Sequence, residues 1–398
     1  MTIKLKMEIL TLKEAFDIVI RSATFTGTET VDFTDSLDRV LASDIKSDID
    51  MPPFNKATVD GFACRRDDLY SELAIVETIA AGINPIYKIS ENQCSRIMTG
   101  AALPEGADVV FMVEDSKVNN GKVRFTGSFT KDNIALKGED IKDGQTVLSS
   151  GKVIKPQDIA LIAASGSTSV EVSRRPSAGV ISSGNELVEP VLKPGIAQIR
   201  NTNSYQLMAQ LKRAGAIGNN YGIVRDDEAA TYEIVMQAIS ENDIVLISGG
   251  VSMGEFDFIP AVMERAGVKI LFSRINVQPG KPTTFGVHPD ALVFGLPGNP
   301  VSSFIQFELL VRPMISRMMQ CEYKPVTFPA IMKNSFSRKN AERHALIPVR
   351  ITENGLADPV EYHGSAHLSA VSEADGIIEM PAGESIIMEG ETVIVRQI

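Results

Sequence analysis

At 398 residues the chain exceeds one ordinary domain and is long enough for two to four, each with its own core. Hydrophobic residues make up 44% and charged residues 22%, which argues against disorder, and the formal net charge of −11 argues against broad binding to nucleic acid or an anionic membrane. Three cysteines, Cys64, Cys94 and Cys321, are far apart and odd in number, which argues against a disulfide framework or a four-sulfur zinc site and predicts reduced thiols.

The opening "MTIKLKMEILTLKEAF" scatters Lys and Glu where a signal peptide needs an apolar run, and no stretch approaches the ~20 apolar residues that cross a bilayer. A cytoplasmic protein is expected, with no membrane and no nucleic-acid partner. "TLKEAFDIVIRSA" spaces Thr11 and Glu14 as a capping box and sets Ala15, Ile18, Val19 and Ala23 on one helical stripe. From about 31 to 151 short apolar runs are broken by Gly, Pro, Asn and Asp, which predicts a mostly β region with long structured loops.

From about 177 strands and helices alternate: "AGVISSG" strand, "NSYQLMAQLKRAGA" helix, "YGIV" strand, "DDEAATYEIVMQAIS" helix, "DIVLISGG" strand, a helix from about 257, "ALVFGLPG" strand, and "NPVSSFIQFELLVRPMISRMM" helix. This alternation predicts an α/β domain with a parallel sheet covered on both faces, and ligands of such sheets bind beyond the carboxyl ends of the strands. After 324 the texture is β again, which predicts a separate C-terminal β domain of about seventy residues.

Three turns of the α/β region fall at strand ends: "SSGNEL" (182–187), "SGGVSMGEFD" (248–257) and "GLPGNPVS" (295–302). Gly249 and Gly250 permit close backbone approach, and a helix start there favours an anion. Asn299, Pro300 and Ser302 suit a helix start: a cap, a first residue that needs no N–H, and a hydroxyl near free donors. Asp226 and Asp227 read first as a helix cap and its first turn, with a site as the alternative. Asp257, Glu186, Asp60 and Asp140 sit in or beside turns, where a surface carboxylate is the plain alternative. Acids beside a phosphate turn repel the ligand unless a divalent cation lies between, and hard oxygen ligands suit Mg²⁺. Lys281, between Gly280 and Pro282, is the cation best placed to meet an oxyanion. No Ser/His/Asp or Cys/His arrangement and no Walker-type loop is present.

Taken in order, "PPFNKATVDGFA", "RIMTGAALPEGADVVFMVED", "GEDI", "SSGNEL", "IRNTNSYQL", "VRDD", "SGGVSMGEFD", "QPGKPTTFG" and "GLPGNPVSSF" resemble the molybdopterin molybdenumtransferase family, known as MoeA in bacteria and as the E domain of gephyrin in animals. The resemblance implies a multi-domain α/β plus β fold: an N-terminal helix (1–23) on a molybdopterin-binding, MoaB/MogA-like α/β domain (173–323), a β linker domain (24–49 and 141–172), an inserted mostly-β lobe (50–140) and a C-terminal β-barrel-like domain (324–398). It implies a homodimer, with the lobe of one subunit facing the α/β domain of the other. The implied reaction takes adenylylated molybdopterin and molybdate as substrates, with Mg²⁺, and releases molybdenum cofactor and AMP.

Site residues follow motif by motif. Asp60, Thr99 and Asp140 match the "DG", "TG" and "GED" motifs; Glu186, Asp226 and Asp257 match the acids of the α/β turns and are the implied metal ligands. Asp60, Thr99, Asp140, Asp226, Asp257 and Lys281 are the implied catalytic set. Ser248, Gly249, Gly250, Ser252, Gly298, Asn299, Pro300 and Ser302 would bind the substrate, and Pro282, Arg343, Ser365 and Ser369 would complete the molybdate site. Some members carry Asp where Asn185 stands and Lys where Gln278 stands, whereas Arg274 keeps a positive charge found there as lysine. Two other readings stay open: a molybdopterin adenylyltransferase, which uses the same α/β fold and is also a possible partner, and a non-enzymatic scaffold of the gephyrin type.

Overall fold

The capping box at the start of the chain is formed: Glu14 N donates to Thr11 Oγ1 at 3.3 Å and Thr11 N to Glu14 Oε2 at 2.8 Å. Two amides that a helix start leaves unsatisfied are thereby paired, and helix α1 runs Leu12–Ser22. The computed structural model describes residues 9–250, 258–360 and 368–398. Their contacts divide the chain into two units, one of Met1–Glu29, Asp38–Ala42 and Glu171–Ile398, the other of Thr30–Leu37 and Ser43–Val170.

In the first unit the elements that follow α1 are β1 (Ser177–Ser183), α2 (Asn203–Arg213), β2 (Ile217–Val224), α3 (Glu228–Glu241), β3 (Ile244–Ser248), α4 (Ile259–Arg265), β4 (Lys269–Phe272), β5 (Thr284–Val287), β6 (Leu292–Leu296), α5 (Pro300–Gln306) and α6 (Arg312–Met318). One six-stranded sheet forms in the order β2-β1-β3-β6-β5-β4. Alternation along β3 sends Ile244 and Leu246 into the core shared with α1, α2, α5 and α6, and Val245 and Ile247 into the core under α3 and α4. Both faces are covered, as the near-continuous apolar strands require.

The sheet is not wholly parallel, which corrects the expectation from the sequence. β2, β1, β3 and β6 are parallel, but β5 pairs antiparallel with β6 and with β4. Only residues 288–291 separate β5 from β6, closed by His288 N donating to Ala291 O at 2.9 Å. A parallel return needs a crossover of about a dozen residues, so this connection can only be a hairpin. The long C-terminal helix is also interrupted: Phe307–Val311 form a π turn just ahead of Pro313, which has no N–H to continue the regular ladder.

The C-terminal strands are β7 (Thr327–Ile331), β8 (His344–Ile351), β9 (Ala357–Pro359), β10 (Gly376–Met380) and β11 (Thr392–Gln397). They pair in the order β8-β10-β11-β7, with β9 on the other side of β8. Met332, just past β7, bridges Ala357 of β9, so the sheet closes on itself around Met332, Ile347, Val349, Ile378 and Val395. The short strand Val277–Gln278, from the β4–β5 connection, adds to β8 with Val277 opposite His344.

The second unit is built on a six-stranded sheet in the order Val109–Met112, Gly61–Cys64, Gln93–Ile97, Glu72–Ile79, Lys122–Phe125, Ser116–Asn119, with a helix at Pro156–Ala164. Gly61 is needed where it stands, since a Cβ there would lie 1.9 Å from Phe111 O. Cys64 and Cys94 face each other across two strands as free, buried thiols, and burial pushes both up to about 12.

Candidate active site

β1, β3 and β6 are neighbours and parallel, so the three Gly-rich turns leave the sheet side by side. The turn after β3 is the hub. Gly249 N donates to Leu296 O at 3.1 Å, and a Cβ on Gly249, whose φ is +99°, would lie 2.3 Å from Ser183 O. A Cβ on Gly298 would lie 3.5 Å from Gly249 Cα. Main chain packs on main chain here, which is what glycine at these positions permits.

Asn203, the first residue of α2, ties two of the turns together: its Nδ2 donates to Ser248 Oγ at 2.6 Å and to Gly298 O at 2.8 Å. Behind it, Ser182 Oγ donates to Asn201 Oδ1 at 3.0 Å and lies 2.7 Å from Ser204 Oγ, a buried polar seam between β1 and α2. Sequence reasoning missed Asn203. Its only local signal is the polar "NTNS" before a helix, which reads as a cap.

The first turn carries the acids. Asn185 N donates to Asp226 Oδ2 and Asp226 N to Asn185 Oδ1, both at 3.2 Å, while Ser183 Oγ reaches Asp226 Oδ1 at 3.4 Å. Asp227 is the helix cap: Ala230 N donates to its Oδ1 at 2.8 Å. Glu186 turns its carboxylate back over Gly184, where an added Cβ would meet Oε2 at 2.5 Å. Glu186 and Asp226 are thus two exposed carboxylates flanking residues 184–185. Among the described residues no three His, Cys, Asp or Glu side chains stand together as a metal cluster. Asp257, the third implied ligand, lies outside the described residues, as do Ser252 and Ser365.

After β6, Asn299 stands at the N-cap of α5 with Pro300 first in the helix, but the cap is made by its carbonyl, which accepts from Ser303 N at 3.0 Å. The amide side chain makes no cap bond, a correction to the reading from sequence. Ser302 is buried in the first turn. Thr284 opposes Gly295, so the "QPGKP" segment ahead of β5 lies past the carboxyl end of β6, on the edge that carries the turns. It rests on α5: a Cβ on Gly280 would strike Gln306 Nε2 at 2.2 Å, and Gln306 Nε2 donates to Pro279 O at 3.3 Å. Ile275 N donates to Lys281 O at 3.0 Å, and His344 N to Asn276 O at 3.1 Å. This ladder brings Lys281 and Pro282 alongside the chain that carries Arg343. Ser369 is exposed on the short helix Leu368–Ser372, which packs against α5.

In the other unit Asp60 and Thr99 meet: Thr99 N and Oγ1 donate to Asp60 Oδ1 at 2.7 and 2.9 Å. The Thr99 amide first, then its hydroxyl, hold the Asp60 carboxyl below its ordinary range. Asp140 is exposed, anchored by its N–H to Met51 O at 3.1 Å, and makes no hydrogen bond to either.

The MoeA N-terminal region (domain I and II) model matches residues 10–166, the probable molybdopterin binding domain model 179–317, and the MoeA C-terminal region (domain IV) model 330–398. A molybdopterin molybdenumtransferase of Staphylococcus epidermidis is 33% identical over 397 residues, 96% of this chain and 94% of that protein. That of Bacillus subtilis is 35% identical over 386 residues, 92% and 89% of the two chains. The chain belongs to the molybdopterin molybdenumtransferase family. A crystal structure of a molybdopterin biosynthesis MoeA protein from Pyrococcus horikoshii superposes with a TM-score of 0.87 at 30% identity, covering 98% of this chain and all of that one. In this molybdenumtransferase-family chain the central match, 179–317, spans the three Gly-rich turns, the Asn203 clasp and Lys281. The N-terminal match contains Asp60, Thr99 and Asp140, and the C-terminal match Arg343 and Ser369.

A separate cavity of about 380 Å³ opens among α1, β8, β10 and β11, lined by Phe16, Asn276, His344, Glu379 and Arg396. It contains none of the site residues named above.

Proposed function

We propose that this chain is the molybdenum insertase of molybdenum cofactor biosynthesis, transferring molybdenum from molybdate to adenylylated molybdopterin with release of AMP. The observation that carries the reading within a family of this name is the convergence of three strand-end turns, two of them clasped by Asn203 and the first flanked by Glu186 and Asp226. The N- and C-terminal family matches set it apart from an adenylyltransferase, which needs only the central domain.

The chain's own groups divide the work. Gly249, Gly250 and Gly298 let phosphate oxygens approach main-chain N–H groups, and Ser248 and Ser302 add hydroxyls. Lys281, Pro282, Arg343 and Ser369, with Ser365 outside the described residues, would supply the pole that attracts the molybdate dianion toward the dithiolene sulfurs. Asp60, held ionised by Thr99, and Asp140 belong to the same catalytic set as Asp226 and Asp257. Two exposed carboxylates beside a phosphate turn fit Mg²⁺, which is commonly held by one or two carboxylates and completed by phosphate and water; Glu186, Asp226 and Asp257 would hold it, and it would neutralise the phosphoanhydride. Water adds at the adenylyl phosphorus, the bridging P–O bond breaks, AMP leaves, and the pterin keeps its own phosphate. A homodimer, a cytoplasmic location and the four-part division of the subunit belong to the same reading.

Purified protein incubated with adenylylated molybdopterin and molybdate should release AMP, stop when EDTA is added, and resume with excess Mg²⁺. Alanine at both Asp140 and Asp257 should abolish that release. Consumption of ATP with bare molybdopterin would instead identify an adenylyltransferase, and inertness with both substrates a scaffold.

A further inference from the structure

Asn203 is 8% exposed, and both hydrogens of its side-chain amide are committed, one to Ser248 Oγ at 2.6 Å and one to Gly298 O at 2.8 Å. Its Oδ1 is buried and has no hydrogen-bond partner among the described residues. Turning the amide over does not relieve this, because Oδ1 would then face the Gly298 carbonyl, acceptor against acceptor. The oxygen is therefore fixed at the junction of the β3 and β6 turns as an acceptor that no donor among the described residues satisfies.

The donors available on the proposed substrate are unequal in kind. Phosphates and molybdate bring only acceptors at neutral pH. The pterin ring brings amide-type N–H groups, and the adenosine brings an exocyclic amine and ribose hydroxyls. A rigid, acceptor-only carbonyl edge held by two main-chain-bearing turns matches a rigid ring N–H, which loses little freedom on pairing.

We infer that Asn203 is a binding and positioning residue for the pterin: Nδ2 clasps the two Gly-rich turns, and Oδ1 accepts an N–H from the pterin ring. This rests on the proposed function and deepens it by dividing the site, with the pterin ring at the Asn203 end of the β3 turn.

The test is anaerobic titration of molybdopterin and, separately, of AMP into the full-length chain and its variants, read as the ratio of the two Kd values. Asn203→Ala should raise the Kd for molybdopterin about tenfold or more while the Kd for AMP moves less than about twofold. Ser182→Ala, which cuts the seam behind Asn203 and spares both clasp bonds and Oδ1, should leave the ratio within about twofold of wild type. Should Asn203→Ala fail to fold, Asn203→Ser, whose hydroxyl is too short to reach either turn, carries the same expectation. Equal weakening of both ligands, selective loss of AMP, or no change in either overturns the assignment. A wild-type chain that binds neither ligand removes the functional reading itself, and this inference with it.

Discussion

Asp226 and Asp227 are adjacent acids with different tasks. Either one could cap the helix as far as the sequence goes, because the choice depends on where the helix begins, and that is set by packing. The structure gives the cap to Asp227 and turns Asp226 toward Asn185. Asp226→Asn should therefore leave stability nearly unchanged, since the side chain is exposed. Losing a charge-assisted contact costs about 2 kcal/mol; applied to the transition state, this lowers kcat/KM for AMP release roughly 30-fold. A loss in melting temperature with intact kcat/KM would return Asp226 to a structural role. Thr11 and Glu14 were legible because a capping box is local, whereas Asn203 was not: its partners lie 45 and 95 positions away.

At the scale of elements, the alternation of strands and helices was readable because each β strand buried on both faces is a short apolar run ended by glycine. The β5–β6 hairpin was not legible because β5 is only four residues long and its antiparallel pairing with β6 is made by tertiary contact. In the proposed site that hairpin matters: reversing β5 delivers the "QPGKP" segment to the same edge as the turns. Gly249 is where the turn geometry is least forgiving. Gly249→Ala forces a side chain onto φ +99° and into Ser183 O at 2.3 Å, a strain of about 1–3 kcal/mol. It should lower the melting temperature and reduce substrate affinity together, measured by calorimetry with and without ligand. A variant with wild-type affinity would show that the turn does not touch the substrate.

For the whole molecule, nine motifs in order gave the family and with it a barrel-like C-terminal domain after 324, but the residues at which that barrel closes were not legible. Met332 meets Ala357 across 25 positions, and just beyond this seam Lys333 Nζ and Asn334 Nδ2 donate to Asp358 Oδ2 and Oδ1, both at 2.9 Å. The Lys333 bond first, with Asn334 and Arg350 assisting against burial, lowers the Asp358 pKa. A lowered folded value means a stabilising contribution that is complete above the unfolded Asp value of about 3.9 and is lost as pH falls through the folded one. Asp358→Asn should accordingly cost about 2 kcal/mol at pH 7, a gap from wild type that narrows below about pH 4. Denaturant melts of both proteins across pH 3–7 check this, and a gap that widens in acid would reverse the sign.

The proposed reaction couples molybdate to the breaking of the adenylyl phosphoanhydride. Its most direct test is a single-turnover reaction of the purified chain with adenylylated molybdopterin, with and without molybdate, following AMP by chromatography and cofactor by activation of a cofactor-free molybdenum enzyme. AMP and active cofactor should appear together in about equal amounts, both dependent on molybdate. Appearance of active cofactor without AMP, or AMP release that yields no cofactor at any molybdate concentration, would contradict it.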